Sequence, residues 1–135
     1  MKSRETLIRL KRFQVDEKRR QVAQLEAMIA EFERMAVDLE REISTEQSRA
    51  GISDPGHFAY PTYAKAAIQR RDNLSRSVND LKVQLEDVRA GLTEAFEELK
   101  KVELLEERNN QRESVEGAAH EQAELNQIGA QRVRV

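Results

Sequence analysis

Apolar residues in the first half of the chain fall at Val22, Leu25, Ile29, Phe32, Ala36, Leu39 and Ile43. The steps alternate three and four, the spacing of a left-handed coiled-coil seam. A second run repeats it at Leu74, Val78, Leu81, Leu85, Val88, Leu92, Ala95, Leu99 and Val102. Between the runs lies Gly51-Ile52-Ser53-Asp54-Pro55-Gly56-His57-Phe58-Ala59-Tyr60-Pro61, which holds both prolines and two of the five glycines. Proline lacks a donor N–H and clashes with the preceding turn, while Gly51 and Gly56 admit left-handed backbone. The chain therefore turns here. The pattern predicts a first helix capped by Ser3, with Glu5 at the positive end of its dipole, running to about residue 49. Pro61 suits the first position of a second helix. At 1.5 Å per residue the first helix is roughly 70 Å long.

A turn centred near residue 55 makes residue i face roughly residue 110 − i. Ile43 then meets Ala67, Ala36 meets Leu74, Phe32 meets Val78, Ile29 meets Leu81, Leu25 meets Leu85 and Val22 meets Val88. The same register lays basic residues 4–20 beside acidic residues 94–107, so hydrophobic and charge patterns select one pairing. The expected fold is all-α: a long two-helix antiparallel coiled-coil hairpin over residues 1–109, with a Pro/Gly tip near 51–61. Extended backwards, the seam reads Lys18, Val15, Lys11 and Ile8. It loosens there, and Leu7, Leu10 and Phe13 are alternative contacts. Gly91 sits beside the seam and weakens its helix by up to about 1 kcal/mol relative to Ala. Beyond residue 109 the second helix outruns its partner. Residues 110–135, with Gly117, Gly129 and the closing Arg132-Val133-Arg134-Val135, read as a C-terminal tail, frayed or disordered until bound.

Composition narrows the function classes. Of 135 residues, 36% are charged and only 4% aromatic, with neither Trp nor Cys, so a compact globular core is not expected. Lack of Cys removes disulfides and thiolate ligands. No apolar run approaches the roughly 20 residues of a membrane span, and the N-terminus lacks a signal-peptide pattern. A soluble cytoplasmic protein is the expectation. His57 and His120, the only histidines, fall at the tip and in the tail, too far apart for a metal site. There is no glycine-rich phosphate loop, nucleophile elbow or Ser/His/Asp set, and the carboxylates lie on solvated helix faces. No catalytic residue, cofactor, metal or small-molecule substrate is expected. Asn73-Leu74-Ser75 matches a glycosylation sequon, but Leu74 lies on the seam.

Two stretches remain as candidate interaction surfaces. The run Arg9-Leu10-Lys11-Arg12-Phe13-Gln14-Val15-Asp16-Glu17-Lys18-Arg19-Arg20 has three readings: a nucleic-acid arm, an intramolecular charge seam, or a protein-docking surface. Net charge is −2, and Asp16, Glu17 and the neighbouring acidic stretch make the nucleic-acid reading the weakest. At the tip, Phe58, Tyr60 and Tyr63 are half of the chain's six aromatics. They either pack together to close the turn or form an exposed patch for a partner.

The opening Met1-Lys2-Ser3-Arg4-Glu5-Thr6-Leu7-Ile8-Arg9-Leu10-Lys11-Arg12-Phe13, the continuation Val15-Asp16-Glu17-Lys18-Arg19-Arg20 and the tip Asp54-Pro55-Gly56-His57-Phe58-Ala59-Tyr60 resemble the FliJ family. That family serves the bacterial flagellar type III export apparatus, and the likeness is greatest to its alphaproteobacterial members. It spans Met1 to about Arg108; residues 109–135 add nothing to it. The resemblance implies an antiparallel coiled coil similar to the central stalk of rotary ATPases. Such a protein engages the hexameric export ATPase FliI with the end holding its termini, and contacts the export gate protein FlhA. It helps couple ATP hydrolysis and proton-driven export, and handles unloaded export chaperones. On this chain the resemblance points to Arg4, Arg9, Lys11, Arg12, Arg19 and Arg20 at the ATPase end. Phe58, Tyr60 and Tyr63 are candidates for the gate contact on their chemistry alone. The implied location is the cytoplasmic face of the inner membrane, reached through partners, with a role in motility and chemotaxis. The alternatives are an adaptor or stalk of another type III secretion system and a general coiled-coil scaffold.

Overall fold

The computed structural model describes residues 2–133, with side chains from 3 to 130. It contains two helices, α1 (Lys2–Ala50) and α2 (Thr62–Val133), and no strand among the described residues. Helix α1 already includes Lys2 and Ser3, so Ser3 sits inside the first turn rather than capping it. The position before it lies outside the described residues. Pro61 likewise stands one place earlier than expected. Its carbonyl accepts the first helical bond from Lys65 N–H at 3.1 Å, a place where proline's missing N–H again costs nothing.

The chain leaves α1 through Gly51, whose φ of 68° is left-handed and whose N–H donates to the Gln47 carbonyl at 2.9 Å. This satisfies one of the last carbonyls of the helix, and only glycine adopts the conformation without strain. Asp54-Pro55-Gly56-His57 then forms a turn, with His57 N–H donating to the Asp54 carbonyl at 3.0 Å. The Asp54 side chain accepts from Gly56 N–H at 2.9 Å. Aspartate before Pro-Gly is suited to this geometry because its short carboxylate can bond the backbone two residues on. A second turn follows, in which Tyr60 N–H donates to the His57 carbonyl at 3.1 Å.

Packing divides the chain into two units, Asp16–Thr93 and Met1–Val15 with Glu94–Val135. In the first of these, Ile29, Val78, Leu81 and Leu85 form a buried cluster against which Val22, Leu25 and Phe32 pack. These are the residues that the sequence register placed in facing layers. Glu40 pairs with Arg71, Glu33 with Lys82 at 3.5 Å and Glu26 with Arg89 at 3.2 Å. Falling numbers on α1 meet rising numbers on α2, so the helices are antiparallel. Nearer the turn, Ile43, Ala64 and Ala67 are buried. The small alanines let the helices approach where the chain has just reversed.

In the other unit seam positions of both helices are again the buried ones. Val15 and Leu99 are buried, Lys11 Nζ donates to Glu98 Oε2 at 2.9 Å, and Arg4 pairs loosely with Glu106 at 3.7 Å. Leu7, Leu10 and Phe13 do not carry the contact; they are 41%, 49% and 59% exposed. Lys11 can hold its seam position because its stem lies along the interface while its ammonium reaches a carboxylate across it. Helix α2 continues past the last partner residue to Val133, and every side chain from 111 to 130 is exposed.

Gly91 has a specific neighbour. A Cβ built there would lie 3.4 Å from Cε of Lys18, so the missing side chain leaves room for the stem of the seam lysine. That distance is ordinary van der Waals contact with the flexible end of a side chain. Gly91→Ala is therefore expected to stabilise the protein by about 1 kcal/mol through helix propensity, raising the melting temperature by roughly 2–5 °C in a thermal scan followed by circular dichroism.

Candidate protein-interaction surfaces

The three tip aromatics separate. Tyr60 is buried, and its hydroxyl accepts from Gln47 Nε2 at 2.9 Å. The same amide lies 3.5 Å from the Ser53 carbonyl, and the Gln47 backbone receives Gly51. One glutamine thus ties the end of α1 to both ends of the loop, Ser53 and Tyr60. Tyr63 is half exposed, and its hydroxyl donates to Glu42 Oε2 at 2.9 Å, which raises the phenol pKa. Phe58 is 97% exposed and stacks only on the His57 ring, at 4.6 Å between centroids. His57 Nδ1 accepts from Ala59 N–H at 3.0 Å, fixing the ring that Phe58 lies on. Tyr60 closes the turn; Phe58 and the outer edge of Tyr63 are what the tip presents.

The basic residues also divide. Lys11 and Arg4 are drawn to Glu98 and Glu106 across the seam, and the hydrogen bond from Lys11 holds the Glu98 carboxyl below its usual range. Arg19 and Arg20 turn to Asp16 and Glu17 on their own helix. Arg9 and Arg12 are exposed and form no ion pair among the described residues. Within this end of the molecule, Arg9 and Arg12 therefore stand beside the exposed Leu10 and Phe13. Cations interleaved with apolar side chains suit a protein surface better than a phosphate backbone, which offers nothing for leucine and phenylalanine.

A feature that the sequence reading missed lies on one side of the hairpin below the tip. Phe32, Met35, Leu39 and Leu74 floor a groove of about 480 Å³, edged by Asp38, Glu42, Tyr63 and Arg70. Met28 and Met35 are exposed, seven residues apart and outside the seam. Of the two, Met35 lines the groove, and an exposed flexible apolar residue outside the seam is the signal that could have revealed it. Arg71 was missed as well. It falls in seam register after Ala64 and Ala67, and there Glu40 and Asp72 bind its guanidinium, which raises its pKa further.

Among the described residues no group of His, Cys, Asp and Glu could hold a metal ion, and no helix is long and apolar enough to cross a membrane. His120 pairs with Glu124 on the tail. Polar side chains converge on helix–helix contacts and on the turn. These properties define a helical coiled-coil hairpin. The family model for flagellar FliJ protein matches residues 1–135, and the chain belongs to that family of flagellar export-related coiled-coil proteins. No curated protein and no solved structure matches it.

The role of Gln47 in the turn is testable. Tyr60→Phe removes a single part-buried hydrogen bond and should cost about 1 kcal/mol, and Gln47→Ala should cost more because it also strips the loop of its link to Ser53. Urea unfolding of both variants, compared at constant m value, reads these losses.

Proposed function

We propose that this protein is a non-enzymatic component of the flagellar type III export apparatus. In this reading the end carrying Arg4, Arg9, Lys11, Arg12, Arg19 and Arg20 engages the hexameric export ATPase FliI. The tip, with Phe58 and Tyr63 outermost, faces the export gate protein FlhA. The hairpin couples ATP hydrolysis to export and escorts unloaded export chaperones at the cytoplasmic face of the inner membrane. The observation that carries the reading is the family match along the whole chain. It is supported by Arg9 and Arg12, whose charges are left to solvent beside exposed Leu10 and Phe13. An interface built on such residues gains from desolvated apolar contact, and the arginines add specificity and association rate.

The working surface at this end is narrower than the full basic run, since Arg4 and Lys11 already have carboxylate partners. Arg9 and Arg12 should accordingly matter most. The experiment is ATP turnover by the flagellar export ATPase of the same organism, with and without the protein. Turnover should rise on addition, and Arg9→Glu with Arg12→Glu should abolish the increase while leaving helicity unchanged. Unchanged turnover with no complex formed would leave a coiled-coil adaptor with a different partner.

A further inference from the structure

The tip repeats one turn twice. In the first, His57 N–H donates to the Asp54 carbonyl at 3.0 Å and Gly56 N–H donates to Asp54 Oδ1 at 2.9 Å. In the second, Tyr60 N–H donates to the His57 carbonyl at 3.1 Å and Ala59 N–H donates to His57 Nδ1 at 3.0 Å. Each turn is thus closed by a backbone bond and by a side-chain acceptor for the N–H two residues on. Nδ1 of a histidine stands as many bonds from its backbone as Oδ1 of an aspartate. An imidazole can therefore take the place that Asp or Asn takes in such turns. The two acceptors differ in one respect. A carboxylate accepts throughout the range from about pH 5 to 8, whereas an imidazole changes charge within it.

Nδ1 accepts only while the ring is neutral and carries its hydrogen on Nε2. Protonation places a second hydrogen on Nδ1, where it faces the Ala59 N–H, and donor meets donor. The supports of the tip contain no such group: Gly51 N–H bonds the Gln47 carbonyl, and buried Tyr60 is held by Gln47 Nε2. The other charged and titratable groups of the tip and its flanks are Asp54, Glu46 and Arg49 at the end of α1, and Tyr60, Tyr63 and Lys65 at the start of α2. Asp54 is turned to Gly56, Arg49 to Glu46 and Tyr63 to Glu42, and none of the charged groups forms an ion pair with His57 among the described residues.

Phe58 lies between the two residues that the Ala59-to-His57 bond joins. It is 97% exposed, and its ring stacks on the imidazole with centroids 4.6 Å apart and planes at 23°. Protonation does not oppose that stack, since a cation is attracted to an aromatic face. What it removes is the tie between the ring pair and the backbone.

We infer that His57 is a pH-sensitive latch on the tip. With the imidazole neutral, Nδ1 holds the second turn closed and fixes the orientation of Phe58. On protonation that turn loosens and the His57–Phe58 pair is released, while the first turn and the helices stay as they are. The inference goes beyond the export role, and its test needs no other protein.

The experiment is nuclear magnetic resonance of the full chain from about pH 8 to about pH 5, the range in which histidine titrates. Amide protection, relative to the unstructured rate at each pH, and backbone couplings would be read at Phe58 and Ala59, with Gly56 as the internal reference. Protection of Ala59 should fall about fivefold as His57 titrates, the weight of one hydrogen bond, and both couplings should move to averaged values. Gly56 should not respond. His57→Asn supplies an acceptor that does not titrate in this range, so it should hold the neutral-form couplings at both ends. His57→Ala should show the released form at both ends, and circular dichroism checks that both variants keep their helices. Couplings and protection that stay constant through the His57 titration, a response that persists in His57→Asn, or an equal response at Gly56 would each overturn the inference.

Discussion

The pairing register of α1 with α2 is the constraint on which the other features depend. It is set twice, by apolar layers such as Ile29 with Leu81 and by charge pairs such as Glu33 with Lys82. A slip of one residue would carry the seam out of the interface and break the cross-helix pairs together. The turn cooperates by fixing where reversal begins. Gly51 stops α1, Asp54-Pro55-Gly56 turns the chain, and Gln47 clamps Tyr60 so that α2 starts at the right level. Among the described residues no large side chain is fully buried, so stability rests on many shallow contacts along the seam rather than on a deep core.

The same register decides which charges are available. A basic run meeting an acidic run suggests mutual neutralisation, yet among the described residues of that run only Lys11 and Arg4 reach across to carboxylates. Arg9 and Arg12 form no ion pair among the described residues, although Arg12 lines a groove with Glu103, Glu106 and Glu107 of α2, and the apolar Leu10 and Phe13 beside them are exposed. Helix α2 continues past this surface, with every side chain from 111 to 130 exposed.

The paired parts of the helices, the turn and the pairing were legible in the sequence because each follows from local or periodic rules; that α2 runs on to Val133 was not. Proline and glycine mark 51–61, and three-four spacing marks both seams. Side-chain partnerships were less legible. Nothing in the spacing says that Gly91 makes room for Lys18, that Gln47 binds Tyr60, or that Arg71 holds a seam position by binding Glu40. Each joins residues far apart in sequence and depends on the direction of long side chains once the register is fixed. Treating Phe58, Tyr60 and Tyr63 as a group failed to separate them for this reason: one points into the turn, one reaches Glu42, and one is left in solvent.

Hydrogen exchange with the export ATPase added tests most directly whether the end bearing the termini is the working surface. Spectra of the chain alone and with the ATPase would be compared residue by residue. The account predicts new protection over residues 3–20 of α1, centred on Arg9 to Phe13, with exchange at the tip unchanged. New protection confined to residues 51–63, or none anywhere while a complex is present, would contradict it.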